Sequence, residues 1–359
     1  MPANAYIHIP FCKSKCKYCS FVSFNRLELM TGYVFALLKD ISENYQGENI
    51  KTLYFGGGTP SLLQLELLKK IVKQFRLAED YEFTMEINPD DGDLNYLKQL
   101  RALGVNRLSI GSQTFDDDIL KLIGRRHNSS QIIETVHLAK EAGFDNISVD
   151  LIYGLPTQAL EGLKKDLDRF LSLDIQHIST YGLKIEENCF WSKEPPKDLP
   201  SEDLQADMYE EVNNTLENAG FYRYEVSNFA KKGFESRHNL NYWDNNEYYG
   251  FGAAAHGYSD GIRYSNFTNL EDYMAKPHIH EFGHTLNEQE KLEEEIFLGF
   301  RKRSGVNIKC INQKFGIDFE NKYKEVLSKY SDYIEKTPSG YTLNLKGVLI
   351  SNLILSEFL

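Results

Sequence analysis

Three cysteines near the N-terminus constrain this chain more than any other feature. Cys12, Cys16 and Cys19 stand in C-x3-C-x2-C spacing in one short loop, directly after a strand-like run at residues 5–9. Zinc in structural sites takes four ligands, and a cubane iron–sulfur cluster usually takes four cysteines, whereas serine and phenylalanine follow Cys19. Three thiolates leave one coordination position open, which suits a metal centre that binds a further molecule. A zinc site with a distant fourth ligand and three unrelated cysteines remain as alternatives.

Charge and composition exclude several classes of protein. The formal net charge of −12 disfavours nucleic acid as a partner, because phosphate binding needs a basic surface. No apolar run approaches the roughly 18 residues that a membrane-spanning helix requires. Five cysteines with three in one loop do not form a disulfide framework, and no signal-peptide pattern precedes the first strand. We therefore expect a cytoplasmic protein in a reducing compartment.

Strand-like and helix-like segments alternate through the first half of the chain. The predicted strands lie at 5–9, 51–55, 82–87, 106–110, 146–152 and 176–183. Such alternation predicts a parallel sheet with right-handed crossovers. Six β/α units are fewer than a closed barrel of this kind contains. We therefore predict an α/β fold in which a partial (β/α)6 barrel stays open.

Candidate ligand groups recur at the carboxyl ends of the first five predicted strands. They are the three cysteines, Gly57, Gly58 and Thr59, Glu86, Gln113, and Asp150. Ligands of parallel β/α folds bind at this edge of the sheet, so these groups should converge on one mouth. Glu86 would cost on the order of several kcal/mol if it were buried without a partner, so it should face a cation or a donor.

Each of these groups also has a purely structural interpretation. The three glycines at 56–58 match neither the Walker A nor the dinucleotide fingerprint and could form only a tight turn. Gln113 and Asp150 could be structural hydrogen-bonding residues, and Arg125 could be a solvated charge at a helix end. Their common placement at strand ends favours a ligand site.

The segments YIHIPFC, GGGTP, SQTF, LIGRRH and SVDLIYGLP together resemble the radical SAM superfamily, and within it the oxygen-independent coproporphyrinogen III oxidase-like (HemN/HemW) family. The resemblance implies a 4Fe-4S cluster on Cys12, Cys16 and Cys19, whose open iron chelates S-adenosylmethionine. It implies that this cofactor contacts Tyr6, Gly57, Gly58, Thr59, Glu86, Gln113, Arg125 and Asp150. Some of these residues border a second S-adenosylmethionine in the oxidase, and the number bound here stays open.

An aromatic and glycine-rich stretch occupies the middle of the chain. It contains HNLNYW at 238–243 and GFGAAAHGY at 250–258, and resembles segments of the haem-chaperone branch of the family. Glycine and aromatic residues in a loop suit a flat apolar ligand, and histidine suits iron, so His238 and His256 are candidate haem ligands. A loop that only packs over the barrel is the alternative. HEFGH at 280–284 matches a zinc motif formally, but Gly283 within it argues against the regular helix required.

We predict three parts: residues 1–185 form the radical SAM core, 186–284 a linker with the aromatic segment, and 285–359 a mainly helical, winged-helix-like domain. Helices followed by two short strands support the last assignment. Because the chain is acidic, we expect this domain to dock a partner or to cover the barrel, and not to bind DNA.

The resemblance leaves two functions open. The first is a haem chaperone that binds haem and transfers it to an acceptor protein. The second is an oxygen-independent coproporphyrinogen III dehydrogenase. Phe21 stands where the dehydrogenase has a fourth cysteine, the first cysteine is already residue 12, and HNLNYW is present, so the chaperone is favoured. Whether the chain catalyses a reaction stays open. The expected partners are the acceptor protein and a reductant such as a flavodoxin-like donor. Transient association with a membrane is expected through the acceptor.

Overall fold

The first six strands form a parallel sheet in chain order. The computed structural model describes residues 1–359. The strands are β1 (Asn4–Ile9), β2 (Asn49–Gly57), β3 (Arg76–Ile87), β4 (Arg107–Gln113), β5 (Ile147–Tyr153) and β6 (His177–Gly182). The helices between them are α1 (Met30–Asn44), α2 (Leu65–Val72), α3 (Leu94–Ala102), α4 (Asp117–Leu122), α5 (Ser129–Glu141) and α6 (Leu160–Ser172). Strands β1 to β6 pair in sequence without closing, which confirms the open (β/α)6 partial barrel.

The two faces of this sheet have opposite character. Successive side chains of a strand point to opposite faces, so Ile7 and Ile9 of β1 pack outward while Tyr6 points inward. Phe55 and Phe83 extend the apolar outer face on β2 and β3, and both are completely buried. This face and the surrounding helices form a hydrophobic core of 52 residues. The inner face is left to polar side chains.

Three further strands extend the sheet at its two edges. Beyond β6 lie β7 (Tyr222–Arg223) and β8 (Asn228–Ala230), which pair antiparallel, and beyond β1 lies β9 (Tyr249–Phe251), which pairs parallel. Helix α7 (Glu202–Asn218) precedes β7, and α8 (Arg237–Trp243) precedes β9. The sequence predicts six strands, and the sheet has nine.

The prediction of an aromatic loop at 238–258 was wrong for HNLNYW, which lies in helix α8. Ser236 caps this helix through the backbone N–H of Asn239. The carboxylate of Glu82 in β3 accepts hydrogen bonds from the backbone N–H groups of Arg237 and His238. Free N–H groups at a helix start need acceptors, and here a strand about 155 residues away supplies them. No local pattern in the sequence indicates that partner.

A buried carboxylate attaches β9 to the rest of the barrel. Asp40 in α1 is completely buried and accepts hydrogen bonds from the backbone N–H of Gly252 at 3.1 Å and the hydroxyl of Tyr273 at 2.8 Å. Asn44 and Asn266 donate to the same carboxylate. Burial raises the pKa of Asp40 to about 6, against the opposing effect of these donors.

A small antiparallel sheet follows β9. It consists of β10 (His256–Ser259), β11 (Ile262–Ser265) and β12 (Phe282–Thr285), with α9 (Leu270–Ala275) between the last two. The HEFGH segment therefore lies in a turn and a strand. His280 stacks on Tyr264 with ring centroids 3.9 Å apart, and His284 pairs with Glu290. The two histidines do not share one helical face as a zinc-binding pair of this motif does.

The C-terminal region has its own core of 14 buried residues. Its helices are α10 (Glu288–Gly299), α11 (Ile308–Phe315), α12 (Phe319–Lys322), α13 (Lys324–Lys329), α14 (Leu345–Leu349) and α15 (Ser351–Ser356), and its strands are β13 (Val306–Asn307), β14 (Ile334–Thr337) and β15 (Gly340–Leu343). Helices and a small sheet in order β13-β15-β14 agree with the predicted winged-helix-like architecture. The boundaries at 185 and 285 stay predictions. No helix in the chain combines the length and apolar composition needed to cross a bilayer.

Replacing Asp40 tests how the ninth strand is held. Asp40→Ala removes a buried acceptor and leaves several donors unpaired, so we expect the free energy of unfolding to fall by about 2 kcal/mol or more. Glu43→Ala, an exposed position on the same helix, is the matched control and should leave stability unchanged. Urea unfolding of the two variants provides the measurement. Equal stability of both would contradict the assigned role of Asp40.

Candidate functional site

The cysteine loop is held by backbone hydrogen bonds to two other parts of the chain. The backbone N–H of Cys12 donates to the carbonyl of Phe24 at 2.9 Å, and the N–H of Lys17 donates to the carbonyl of Ile123 after α4 at 3.0 Å. Burial raises the pKa of the Cys19 thiol to about 11. A thiolate at this position therefore needs a strong positive charge beside it, which iron provides.

Two of the three thiols contact other side chains of the site. The sulfur of Cys12 lies 3.5 Å from the hydroxyl oxygen of Thr59, and that of Cys16 lies 3.7 Å from Nη1 of Arg125. No three His, Cys, Asp or Glu side chains converge as the ligands of a single metal ion do. A cubane cluster distributes its cysteines over different irons. Cluster binding by these three cysteines stays a prediction.

The glycine-rich loop after β2 crosses the cysteine loop at very short range. A Cβ on Gly58 would lie 2.6 Å from the carbonyl oxygen of Phe11, and one on Gly57 would overlap the ring of His8. The backbone N–H groups of Gly58 and Thr59 donate to carbonyls of the β1 side at 2.9 and 2.8 Å. These glycines permit the two loops to pack, and this packing sets Thr59 beside Cys12. Ligand contact by the same glycines stays a prediction.

Glu86 has the hydrogen-bond donors that its position in the sequence requires. Its Oε1 accepts from the hydroxyl of Tyr54 at 2.8 Å, and its Oε2 accepts from the backbone N–H of Gly57 at 3.1 Å. Burial raises the pKa of Glu86 to about 7, and the negative charge of Asp150 acts in the same direction. A ligand amino group beside this carboxylate would favour its ionised form.

Arg125 is a half-buried side chain within the site, not a solvated charge at a helix end. Its Nη2 donates to the side-chain oxygen of Asn88 at 3.0 Å and to the carbonyl of Gly111. Its buried Nε has no hydrogen-bond partner in the protein. Asn88 also donates to Thr59 at 3.0 Å, so a chain of contacts joins Cys12 to Cys16. An unpaired guanidinium N–H of this kind suits an anionic ligand group.

Sequence reasoning missed Asn88 as a site residue. It lies two residues after Glu86, so strand alternation places both side chains on the same face. The same argument selects Ser109 on β4, whose hydroxyl donates to Asp150 at 3.4 Å. Burial raises the pKa of Asp150 to about 6. Gln113 is buried with a backbone φ of 70°, an uncommon conformation for a residue other than glycine.

One cavity of about 360 Å³ at the carboxyl ends of the strands brings most of the predicted residues together. Its lining includes Cys19, Gly57, Gly58, Thr59, Glu86, Gln113, Arg125 and Asp150. A smaller adjoining cavity is lined by all three cysteines and shares the glycine loop and Arg125 with the first. Tyr6 lies outside both linings, where its hydroxyl is 3.0 Å from Nδ1 of His8.

The two candidate haem ligands lie in very different surroundings. His238 is 1% exposed, with Nδ1 2.7 Å from the hydroxyl of Thr52 and Nε2 2.8 Å from that of Tyr242. Burial lowers the pKa of His238 to about 3, and both ring nitrogens are already engaged. His256 is exposed, and its ring makes no hydrogen bond. Neither histidine lines the cavity at the strand ends.

Comparison with known proteins agrees with this geometry. Residues 6–170 match the radical SAM superfamily, and residues 286–350 match the HemN C-terminal domain. The chain is 43% identical to the haem chaperone HemW of Lactococcus lactis subsp. lactis (strain IL1403), with 95% of each chain covered. It is 39% identical to the haem chaperone HemW of Bacillus subtilis (strain 168), with 99% of each covered.

The likeness to a solved structure extends over nearly the whole chain. Coproporphyrinogen III oxidase (HemN) from Escherichia coli, a radical SAM enzyme, superposes with a TM-score of 0.88. The superposition covers 99% of this chain and 90% of the oxidase, at 23% sequence identity. At this level of identity the comparison shows a shared fold.

The raised pKa of Glu86 predicts a pH-dependent effect on stability. The folded chain binds this proton more tightly than the unfolded chain, so wild-type stability should fall as the pH rises from 4.5 to about 7. Glu86→Gln cannot ionise and lacks this loss. The free energy of unfolding of Glu86→Gln should therefore fall less than that of wild type between about pH 4 and about pH 8. The difference between the two changes should be about 2 kcal/mol.

Urea unfolding of the cluster-free protein across this pH range measures the effect. Glu79→Gln, an exposed position on the same strand, is the control and should follow the wild type. An identical pH dependence for Glu86→Gln and wild type would show that Glu86 has an ordinary pKa.

Proposed function

The chain belongs to the radical SAM superfamily and, within it, to the family of HemW haem chaperones, and we propose on that premise that it binds haem and passes it to an acceptor protein. The observation that carries this proposal is 43% identity over 95% of both chains with a haem chaperone. The dehydrogenase alternative has weaker support. The oxidase HemN is only 23% identical to this chain, and at that identity the likeness extends to the fold alone.

The cofactors of the superfamily fit the residues of the site. We assign the 4Fe-4S cluster to Cys12, Cys16 and Cys19, whose loop lies beside the half-buried Arg125. When bound, the cluster and S-adenosylmethionine supply one-electron chemistry. The protein's own contribution is to hold the loop and to line the site with polar groups.

We assign the S-adenosylmethionine contacts to the residues that share the cavity, together with Tyr6. Glu86 suits the amino group, because an adjacent cation would offset the burial that raises its pKa. The unpaired Nε–H of Arg125 suits a carboxylate. Gly57, Gly58 and Thr59 present backbone at the cavity wall, and Gln113 and Asp150 complete it.

We propose His256 as the haem ligand supplied by this chain. Its imidazole is exposed and makes no hydrogen bond, so iron can bind it without breaking an existing contact. Strand β9 pairs in parallel with β1, so the turn that leads from β9 to His256 lies at the edge that carries the cysteine loop. His238, in contrast, would have to give up a hydrogen bond to Thr52 or Tyr242.

Three further partners belong to the proposal. A haem chaperone needs an acceptor protein, and a reducible cluster needs a one-electron donor such as a flavodoxin-like protein. Transient contact with a membrane would come through a membrane-bound acceptor. The net charge of −12 continues to argue against nucleic acid as a partner.

Anaerobic reconstitution separates the two functions. Wild type and the triple variant Cys12→Ala/Cys16→Ala/Cys19→Ala are each tested with hemin and with coproporphyrinogen III. We expect saturable hemin binding at about one equivalent by wild type, and no formation of protoporphyrinogen IX. The triple variant should lose the iron–sulfur absorption and keep hemin binding, because the proposed haem ligand lies outside the cysteine loop. Turnover of coproporphyrinogen III that disappears in the triple variant would establish the dehydrogenase instead.

Substitution of His256 tests the haem ligand directly. We expect His256→Ala to shift the Soret band of bound hemin and to weaken hemin affinity by about tenfold or more, because an axial ligand is lost. His278→Ala is the matched control, since this histidine is also exposed and makes no hydrogen bond. Identical spectra and affinities for the two variants would remove His256 from the proposal.

A further inference from the structure

A second large concavity lies away from the cysteine-lined mouth. It is an open groove of about 740 Å³ between α8, the β10–β11 pair and α10. Its apolar wall includes Trp243 from the HNLNYW segment, Tyr248 and Phe297, all of them half-buried. None of its lining residues belongs to the cavity at the strand ends. We call this feature the α8–α10 groove.

The other wall of the α8–α10 groove is acidic. Glu290, Glu293 and Glu294 line it together with Phe297. Residues three and four apart lie on one side of a helix, so the first turns of α10 present carboxylates and an aromatic ring to the same space. Arg263 is the one cation in the lining.

The charges of this wall are only partly neutralised. Arg263 is bound to Glu294, with Nη2 and Oε2 2.7 Å apart. Glu290 accepts from the backbone N–H of Asn287 and contacts the ring of His284. Glu293 accepts only the side-chain amide of Gln289, at 2.7 Å, and has no cationic partner. The groove therefore keeps a negative charge beside aromatic surface.

We propose that the α8–α10 groove docks a basic segment of a partner protein. A lysine or arginine side chain has a long apolar stem and a terminal cation, which match the aromatic wall and Glu293 respectively. The groove is larger than one such side chain and open along its length, so it suits a segment of several residues. This inference goes beyond haem transfer, and it does not depend on where haem binds.

Haem is a poor match for the same groove. Its aromatic walls would suit a porphyrin ring, but haem carries two propionates, and the unneutralised carboxylates would repel them. Charge complementarity selects between occupants of similar apolar surface, and here it selects a cation.

Calorimetric titration of the full chain with two peptides tests the proposal. The probes are acetyl-Lys-Leu-Lys-Leu-Lys-amide and its acidic counterpart acetyl-Glu-Leu-Glu-Leu-Glu-amide. We expect the basic peptide to bind with a Kd below about 1 mM, more weakly at high salt, and the acidic peptide not to bind. Glu293→Gln should weaken the basic peptide at least about fivefold, and Glu293→Lys should abolish its binding. Glu325→Gln, an exposed and unpaired position on α13, should change nothing.

Three results would overturn the proposal. They are the absence of binding by the basic peptide at about 1 mM, equal effects of Glu293→Gln and Glu325→Gln, and displacement of the peptide by hemin, which would assign the groove to haem. Hemin titration of the same variants keeps the two proposals separate. Glu293→Gln should bind hemin as wild type does. If wild type and Glu293→Gln both fail to bind hemin, the result counts against the proposed function and not against the proposal for the groove.

Discussion

Charge buried inside the barrel is the constraint on which the rest of the structure depends. Glu86, Arg107 and Asp150 lie on neighbouring strands, and the positive charge of Arg107 lowers the pKa of both carboxyl groups against the larger effect of burial. Arg107 is only 2% exposed, and its Nε has no hydrogen-bond partner. An interior of this kind contributes little to stability, because burial of charge is costly even when it is paired. Most of the stability of the fold therefore has to come from the apolar core between the strands and the helices.

Helix α8 covers the end of the barrel opposite the mouth, and it is held there by hydrogen bonds to polar side chains of the strands. Its first N–H groups bind Glu82, and His238 binds Thr52 while its ring stacks on Tyr54 at 5.0 Å. Tyr54 in turn donates to Glu86. The HNLNYW segment is therefore connected to Glu86, in the wall of the cavity at the strand ends, through side chains of β2. Its histidine is part of that connection, whereas Trp243, at the other end of the helix, faces the α8–α10 groove.

The sequence predicted what depends on local periodicity. The strand alternation is sufficient to predict the parallel sheet. The rule that ligands bind at strand ends predicts that Glu86, Gln113 and Asp150 share one cavity, and they do. Helix α8 and strand β9 could not be predicted in this way. Their positions depend on Glu82 and Asp40, which act over about 155 and 212 residues of chain. Contacts of that range leave no periodic signal near either partner.

The crossing of the glycine loop and the cysteine loop has a consequence for how the metal centre is assembled. Gly58 and Thr59 donate backbone hydrogen bonds to the carbonyls of Ile9 and Phe11, so the start of the cysteine loop is held by backbone pairing that involves no metal. Loading then requires little further loss of chain entropy, unlike that of a small zinc module that folds only around its metal. We therefore expect the chain to stay folded when oxidation destroys its cluster. Such a chain would accept a new cluster in place, and the damage would be repaired without synthesis of a new chain.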